Sequence, residues 1–292
     1  MLTVRAPATS ANLGSGFDVF GVALDRPADV VRVERAEETS LEVTGVGSQY
    51  IPTDPAKNTA GVVAAELGTP ARIHIDKGVR PSSGLGSSAA SAAAAAVALN
   101  ELYDVGLSDA ELVRIAAEGE AAVSGEAHAD NVAPAILGGF TIVTDDRVTS
   151  VDASLPLVAC LPDIVVSTRD ARRVVPASAS LDELVETVGN AATLTTGMHR
   201  NDPVLVGDGL ADSVVTPARA ELITGYDDVV AAARDAGATG VTVSGAGPAV
   251  LAVCRNRDCR RDVAAGMVAA FEDHGVDAQA YQTEIGRGAE IY

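Results

Sequence analysis

The sequence predicts an α+β protein of two units meeting near residue 155, and three observations carry that reading. The chain has 292 residues, near the length of two average domains, and 47% of them are hydrophobic, enough for a substantial core. Its first half mixes β-branched runs with helical stretches instead of alternating them strictly. After Leu155-Pro156 the order becomes strand, helix, paired strands, helix, strand, the pattern of a ferredoxin-like sandwich.

Taken in order, Leu2 to Ala6 reads as a short strand broken by Pro7, since proline cannot donate to a sheet ladder. Further strands are expected at 29–34, 41–46 and 71–75, where β-branched residues lie between Gly, Pro and Asp, and a helix at 58–67. The alanines from Ala92 to Leu99 favour a helix, with the serines just before them available as caps. Ser108-Asp109-Ala110-Glu111 is a capping box ahead of an apolar stripe through Leu112, Ile115 and Ala116; Ser124-Gly125 ends that helix. Residues 138–151 read as a hairpin turning at Asp145-Asp146-Arg147. In the second unit, strands are expected at 157–161 and 164–167, and helices at 181–195 and 226–236. Two strands around a glycine turn (240–253), a helix at 260–274 and a strand at 278–283 complete it.

With no tryptophan and 3% aromatic residues, the core must be built from Ala, Val, Leu and Ile. A net charge of −19 argues against nucleic-acid and anionic-membrane partners, which are themselves negative. Lys57 and Lys77 are the two lysines among 21 basic residues. That acidic, lysine-poor, small-residue composition resembles proteins of salt-loving organisms, in which salt screens self-repulsion. Cys160, Cys254 and Cys259 form neither a disulfide framework nor a zinc pattern and read as small buried hydrophobes. The first residues, Met1 to Asn12, are neither a signal nor a transit sequence, and the longest apolar stretch falls far short of about 20 residues. A soluble cytoplasmic protein is expected.

The segment Pro81-Ser82-Ser83-Gly84-Leu85-Gly86-Ser87-Ser88-Ala89-Ala90-Ser91 carries the chemistry. Gly84 and Gly86 let the backbone approach a ligand, and a helix starting there aims N–H groups and its positive dipole end into the loop. That is an anion cradle, and a nucleotide phosphate is the expected anion. It is not a Walker loop, because neither lysine follows a glycine, and Gly14-Ser15-Gly16 and Gly245-Ala246-Gly247 lack the third glycine of a dinucleotide fingerprint. A glycine turn ahead of an alanine helix is the plain alternative.

Three glycine segments, 7–21, 81–91 and 240–253, resemble in order and wording the GHMP small-molecule kinases, and the resemblance spans essentially the whole chain. Pro7 to Asp18, with Asn12-Leu13-Gly14-Ser15-Gly16-Phe17, and His128 to Gly139 are similar to the branch that acts on L-homoserine. The resemblance implies a ribosomal-protein-S5-domain-2-like domain at 1–155, a ferredoxin-like domain at 156–292, and ATP- and Mg²⁺-dependent phosphorylation of the side-chain hydroxyl of L-homoserine. It implies that residues 81–91 wrap the triphosphate, that Asn58 helps hold the base or ribose, and that one serine hydroxyl, assigned to Ser87, holds magnesium with Glu120. A solvated helix residue is the other reading of Glu120, and a helix cap that of Asn58. Arg172 and Arg219 match the family's carboxylate-binding arginines. Asp18, Asn12 and His128 then serve the ammonium and the hydroxyl, without the sequence deciding which takes which. Where many relatives carry an aspartate base this chain has Asn131, which cannot accept a proton, so Asn131 and Asn12 are expected to position the reactants. Asp130 stays open as a base. A homodimer is left open, as are a shikimate- or mevalonate-type kinase and a catalytically silent ligand-binding relative.

Overall fold

The computed structural model describes residues 1–125, 127–145 and 147–292; Asp146, in the expected hairpin turn, lies outside them. Eleven described strands form two sheets. The first contains β1 (Leu2–Ala11), β2 (Phe20–Arg35), β3 (Ser40–Gly45), β4 (Ala71–Lys77), β5 (Phe140–Thr144), β6 (Arg147–Val151) and β11 (Glu290–Ile291). The second contains β7 (Pro156–Pro162), β8 (Ala238–Val243), β9 (Val250–Cys254) and β10 (Ala278–Glu284), in the order β10-β7-β9-β8 with every pair antiparallel. That is the strand order of a ferredoxin-like sheet. β11 returns to the first sheet, pairing Val4 with Ile291 and Arg5 with Glu290, so the last residues do not stay with the second sheet.

Pro7 does not end β1. The strand continues to Ala11 with a register shift against β2 between Pro7 and Thr9, an irregularity of the kind that lets a strand tolerate proline. The shift also changes which way the strand faces. Val4 and Ala6 join one core and Ala8 the next.

The first core lies under α1 (Thr59–Glu66), α2 (Ser87–Tyr103), α3 (Asp109–Ser124) and α4 (Ala129–Leu137), packed on β1, β2 and β4. α2 is apolar all round and buried from Ala89 to Ala96 because its alanines let neighbouring backbones come close. The capping box at Ser108 and the stop at Gly125 form as the sequence predicts. A second core joins the two sheets with α6 (Leu181–Arg200) and α7 (Pro203–Gly209). On β7, Leu157, Ala159 and Leu161 face it, whereas Val158 and Cys160 face a third core under α9 (Tyr226–Asp235) and α10 (Arg260–Asp273). Alternation with period two thus feeds both faces of the second sheet.

Residues 164–167 are not a strand. Ser167 accepts from the Asp170 amide at 3.0 Å and caps α5 (Thr168–Arg173), so a hydroxyl at a helix start overrides the β-branched run before it. No helix among the described residues is long and apolar enough to cross a membrane.

Candidate active site

A cleft of about 430 Å³ runs between the two sheets, walled by residues 81–84 and 86–88, by Asn58, by Gly245 to Gly247, and by Asn12, Asp18, Glu120, His128, Asn131, Arg172 and Arg219. The residues singled out from the sequence therefore converge, with exceptions. Leu85, Ala89 and Ala90 are buried core side chains off the cleft wall, and the Leu85 N–H bonds Ser83 Oγ at 3.2 Å. Ser91 reaches the cleft edge, but its hydroxyl bonds Asp29 at 2.8 Å. Asn58 is the cap of α1: its Oδ1 accepts from Ala60 N at 3.0 Å and its Nδ2 donates to the Pro52 carbonyl at 2.8 Å.

The cradle is built from backbone. Gly86, at φ 63°, is the cap residue of α2, and no side chain, serine included, closes that helix end. The first turn is thus open toward the cleft. Gly84, at φ 79°, passes so close to the second sheet's loop that a Cβ would stand 2.6 Å from the Ser244 carbonyl oxygen. Ser244 Oγ donates to the Gly84 carbonyl at 2.7 Å, and the Ala249 N–H to the Ser83 carbonyl at 3.1 Å. Beneath the loop, a fully buried Lys77 pairs with Asp29 and donates to the Ser87 carbonyl at 2.7 Å, while Asp29 accepts from the Gly78 and Val79 amides at 3.0 Å each. Lys77 follows Asp76 and no glycine, so no phosphate-loop motif marks it in the sequence. Its role is to hold the loop's root to the start of α2.

The two serines at the head of α2 diverge. Ser87 Oγ donates to the Val79 carbonyl at 2.8 Å, whereas Ser88 Oγ donates to Glu120 Oε1 at 2.5 Å. The hydroxyl beside Glu120 is therefore that of Ser88, while that of Ser87 turns to the Val79 carbonyl. Glu120 is 2% exposed, not a solvated helix residue; burial pushes its carboxyl up to about 8, partly opposed by the Ser88 hydrogen bond. Among the described residues no three His, Cys, Asp or Glu side chains gather as a metal cluster.

At the other end, Asn12 and Asp18 are both left-handed, at φ 57° and 56°, and Asn12 Oδ1 accepts from the Asp18 N–H at 2.9 Å, which fixes the turn between them. Asp18 Oδ2 accepts from Arg172 Nη1 at 2.6 Å. Arg219 is 5% exposed and donates to the Gly245 carbonyl at 2.6 Å; burial first, and Arg172 with it, works against its charge, while Asp18 and Asp130 support it. Arg173 turns away to pair with Asp170. Asn131 lines the cleft and its Oδ1 accepts from Thr9 Oγ1 at 2.9 Å, whereas Asp130 is buried away from the wall. Burial and the Asp18 charge push the Asp130 carboxyl up to about 6. Only in the folded chain does Thr9 meet Asn131, and the Phe17 ring meet Arg172 and Arg219.

Residues 55–139 match the family described as GHMP kinases N terminal domain, and residues 194–273 that described as GHMP kinases C terminal. The homoserine kinase of Halorubrum lacusprofundi is 74% identical over 291 residues, covering 100% of this chain and 99% of its own. That of Haloarcula marismortui is 72% identical with 100% of both chains covered. The crystal structure of homoserine kinase from Cytophaga hutchinsonii superposes with a TM-score of 0.91 at 35% identity, covering 100% of this chain and 97% of that one.

Proposed function

The chain belongs to the GHMP kinases and, within them, to the homoserine kinase family, and on that premise we propose that it phosphorylates the side-chain hydroxyl of L-homoserine with ATP. The hydroxyl oxygen forms a bond to the γ-phosphorus, the bond from that phosphorus to the β–γ bridging oxygen breaks, the hydroxyl proton passes to a phosphate oxygen or to water, and O-phospho-L-homoserine and ADP leave. The observation that carries this reading is one cleft with an open helix end at one side and two arginines with an aspartate at the other.

Backbone N–H groups from Gly84 to Ser88 and the first turn of α2 take the phosphate oxygens, while Lys57 and Lys77 also line the cleft and Lys77 is held by Asp29 and the Ser87 carbonyl. Ser88 and Glu120 would hold magnesium: both offer oxygen, the donor such a hard cation takes, and one carboxylate beside phosphates is an ordinary set for it. When bound, the ion neutralises phosphate charge. The displaced proton of Glu120 fits the same role, since a buried carboxyl held up near 8 is ionised by an adjacent cation.

Arg172 and Arg219 take the substrate carboxylate, guanidinium forks matching its two oxygens. Asp18 supplies the anion for the ammonium or the hydroxyl, and Asn12 and His128 line the same end. Asn131 is a positioning residue. With Thr9 on its carbonyl, it offers amide N–H groups and no base. Phosphoryl transfer tolerates this, because its loose transition state asks for alignment and charge neutralisation more than for early deprotonation.

A coupled assay of ADP release with L-homoserine, shikimate, mevalonate and galactose tests the reading. Turnover with homoserine alone is expected. Turnover with shikimate or mevalonate instead, or homoserine binding without any turnover, would replace it.

A further inference from the structure

Phe17 sits in the fixed turn between Asn12 and Asp18, half-buried and off the cleft wall. Its ring carries two guanidiniums: Arg172 Cζ lies 5.1 Å from the ring centroid and Arg219 Cζ 5.0 Å. We propose that Phe17 is a positioning residue for substrate binding, a single aromatic platform that holds both carboxylate-binding arginines in place while their ionic partners change. The inference rests on the carboxylate role given to those arginines above.

Two neighbouring guanidiniums repel, so an arrangement that brings them together needs anchors. Arg219 has the Gly245 carbonyl at 2.6 Å and the Ala171 carbonyl at 3.4 Å. Arg172 has the Asp18 carboxylate at 2.6 Å. An amino-acid substrate competes for that last contact from both sides, its carboxylate with Asp18 and its ammonium with Arg172. The Phe17 ring is an anchor that such a substrate does not displace. It is uncharged, and a guanidinium resting on an aromatic face keeps its N–H fork for a carboxylate. The turn that carries the ring is held at both ends, since the Phe20 N–H bonds the Gly16 carbonyl at 2.8 Å and the Asp18 N–H bonds Asn12 Oδ1.

The test is Phe17→Leu, which keeps apolar bulk and removes the π face, beside Phe17→Tyr, which keeps the face. With Phe17→Leu, the KM for homoserine and its Kd by calorimetry should rise on the order of ten-fold, with the KM for ATP and kcat within about two-fold of wild type. Phe17→Tyr should restore both. Stepwise fluorination of a phenylalanine at position 17 preserves shape, so it also serves if the leucine variant does not fold; homoserine affinity should fall with each fluorine. Homoserine binding indifferent to fluorination, or Phe17→Tyr as impaired as Phe17→Leu, would overturn the platform. Arg172→Ala and Arg219→Ala run in parallel. If these leave homoserine binding unchanged, the carboxylate assignment itself has failed; if they weaken it and the ring changes do not, only the role of Phe17 has.

Discussion

Burial holds the Glu120 carboxyl up at about 8 and the Asp130 carboxyl up at about 6, both well above the usual carboxylate range. In the unfolded chain both ionise near pH 4, so between there and the raised values the folded protein binds more protons than the unfolded one. Stability of the ligand-free protein therefore falls as pH rises through that window, with both carboxyls contributing up to about pH 6 and Glu120 alone from there to about 8. Glu120→Gln keeps an oxygen acceptor for Ser88 and removes the ionisable group. Its melting temperature should stay flatter than that of wild type between about pH 6 and 8, and its activation should need on the order of ten-fold more magnesium. Parallel melting curves, or an unchanged metal titration, would count against the burial argument and the ligand role respectively.

At the scale of elements, α2 and the ion pair beneath it decide whether the cradle keeps its shape. Lys77 and Asp29 are buried at 1% and 0% side-chain exposure, so removing one strands the other's charge. Lys77→Met alone should destabilise by about 3–5 kcal/mol in urea unfolding, whereas Lys77→Met with Asp29→Leu should recover much of that loss. A double variant as unstable as the single would mean that the backbone contacts of Asp29 matter more than the charge. The long, strongly patterned elements were legible in the sequence: the alanine helix, the Ser108 capping box, the glycine turn between β8 and β9. What escaped it has physical causes. α4 contains Pro134, a residue that argues against a helix interior, and α5, α7 and α8 (Val215–Ala220) are too short for a period to show. The site residues were legible by type and motif, but not which serine faces Glu120, nor that Thr9 would meet Asn131 across 122 positions or Phe17 meet Arg219. Those are facts of packing, which a local pattern does not encode.

For the molecule as a whole, a net charge of −19 on 292 residues means that folding gathers like charge into a small volume. Salt should relieve this, so the melting temperature should climb between dilute buffer and molar KCl. A melt indifferent to KCl would show that the exposed pairs, such as Arg114 with Glu118, already balance the surface locally.

The stitching of the 83–85 loop to both sheets has a further consequence. The Thr9 N–H bonds the Leu85 carbonyl at 3.1 Å, and the Ala249 N–H bonds the Ser83 carbonyl at 3.1 Å. Neither amide can trade its proton for deuterium unless the loop lifts, and the loop lifts only if it lets go of β1 and of the turn before β9 together. Thr9 and Ala249, far apart in the chain, should accordingly exchange at one shared, slow rate, and ADP should slow both by the same factor.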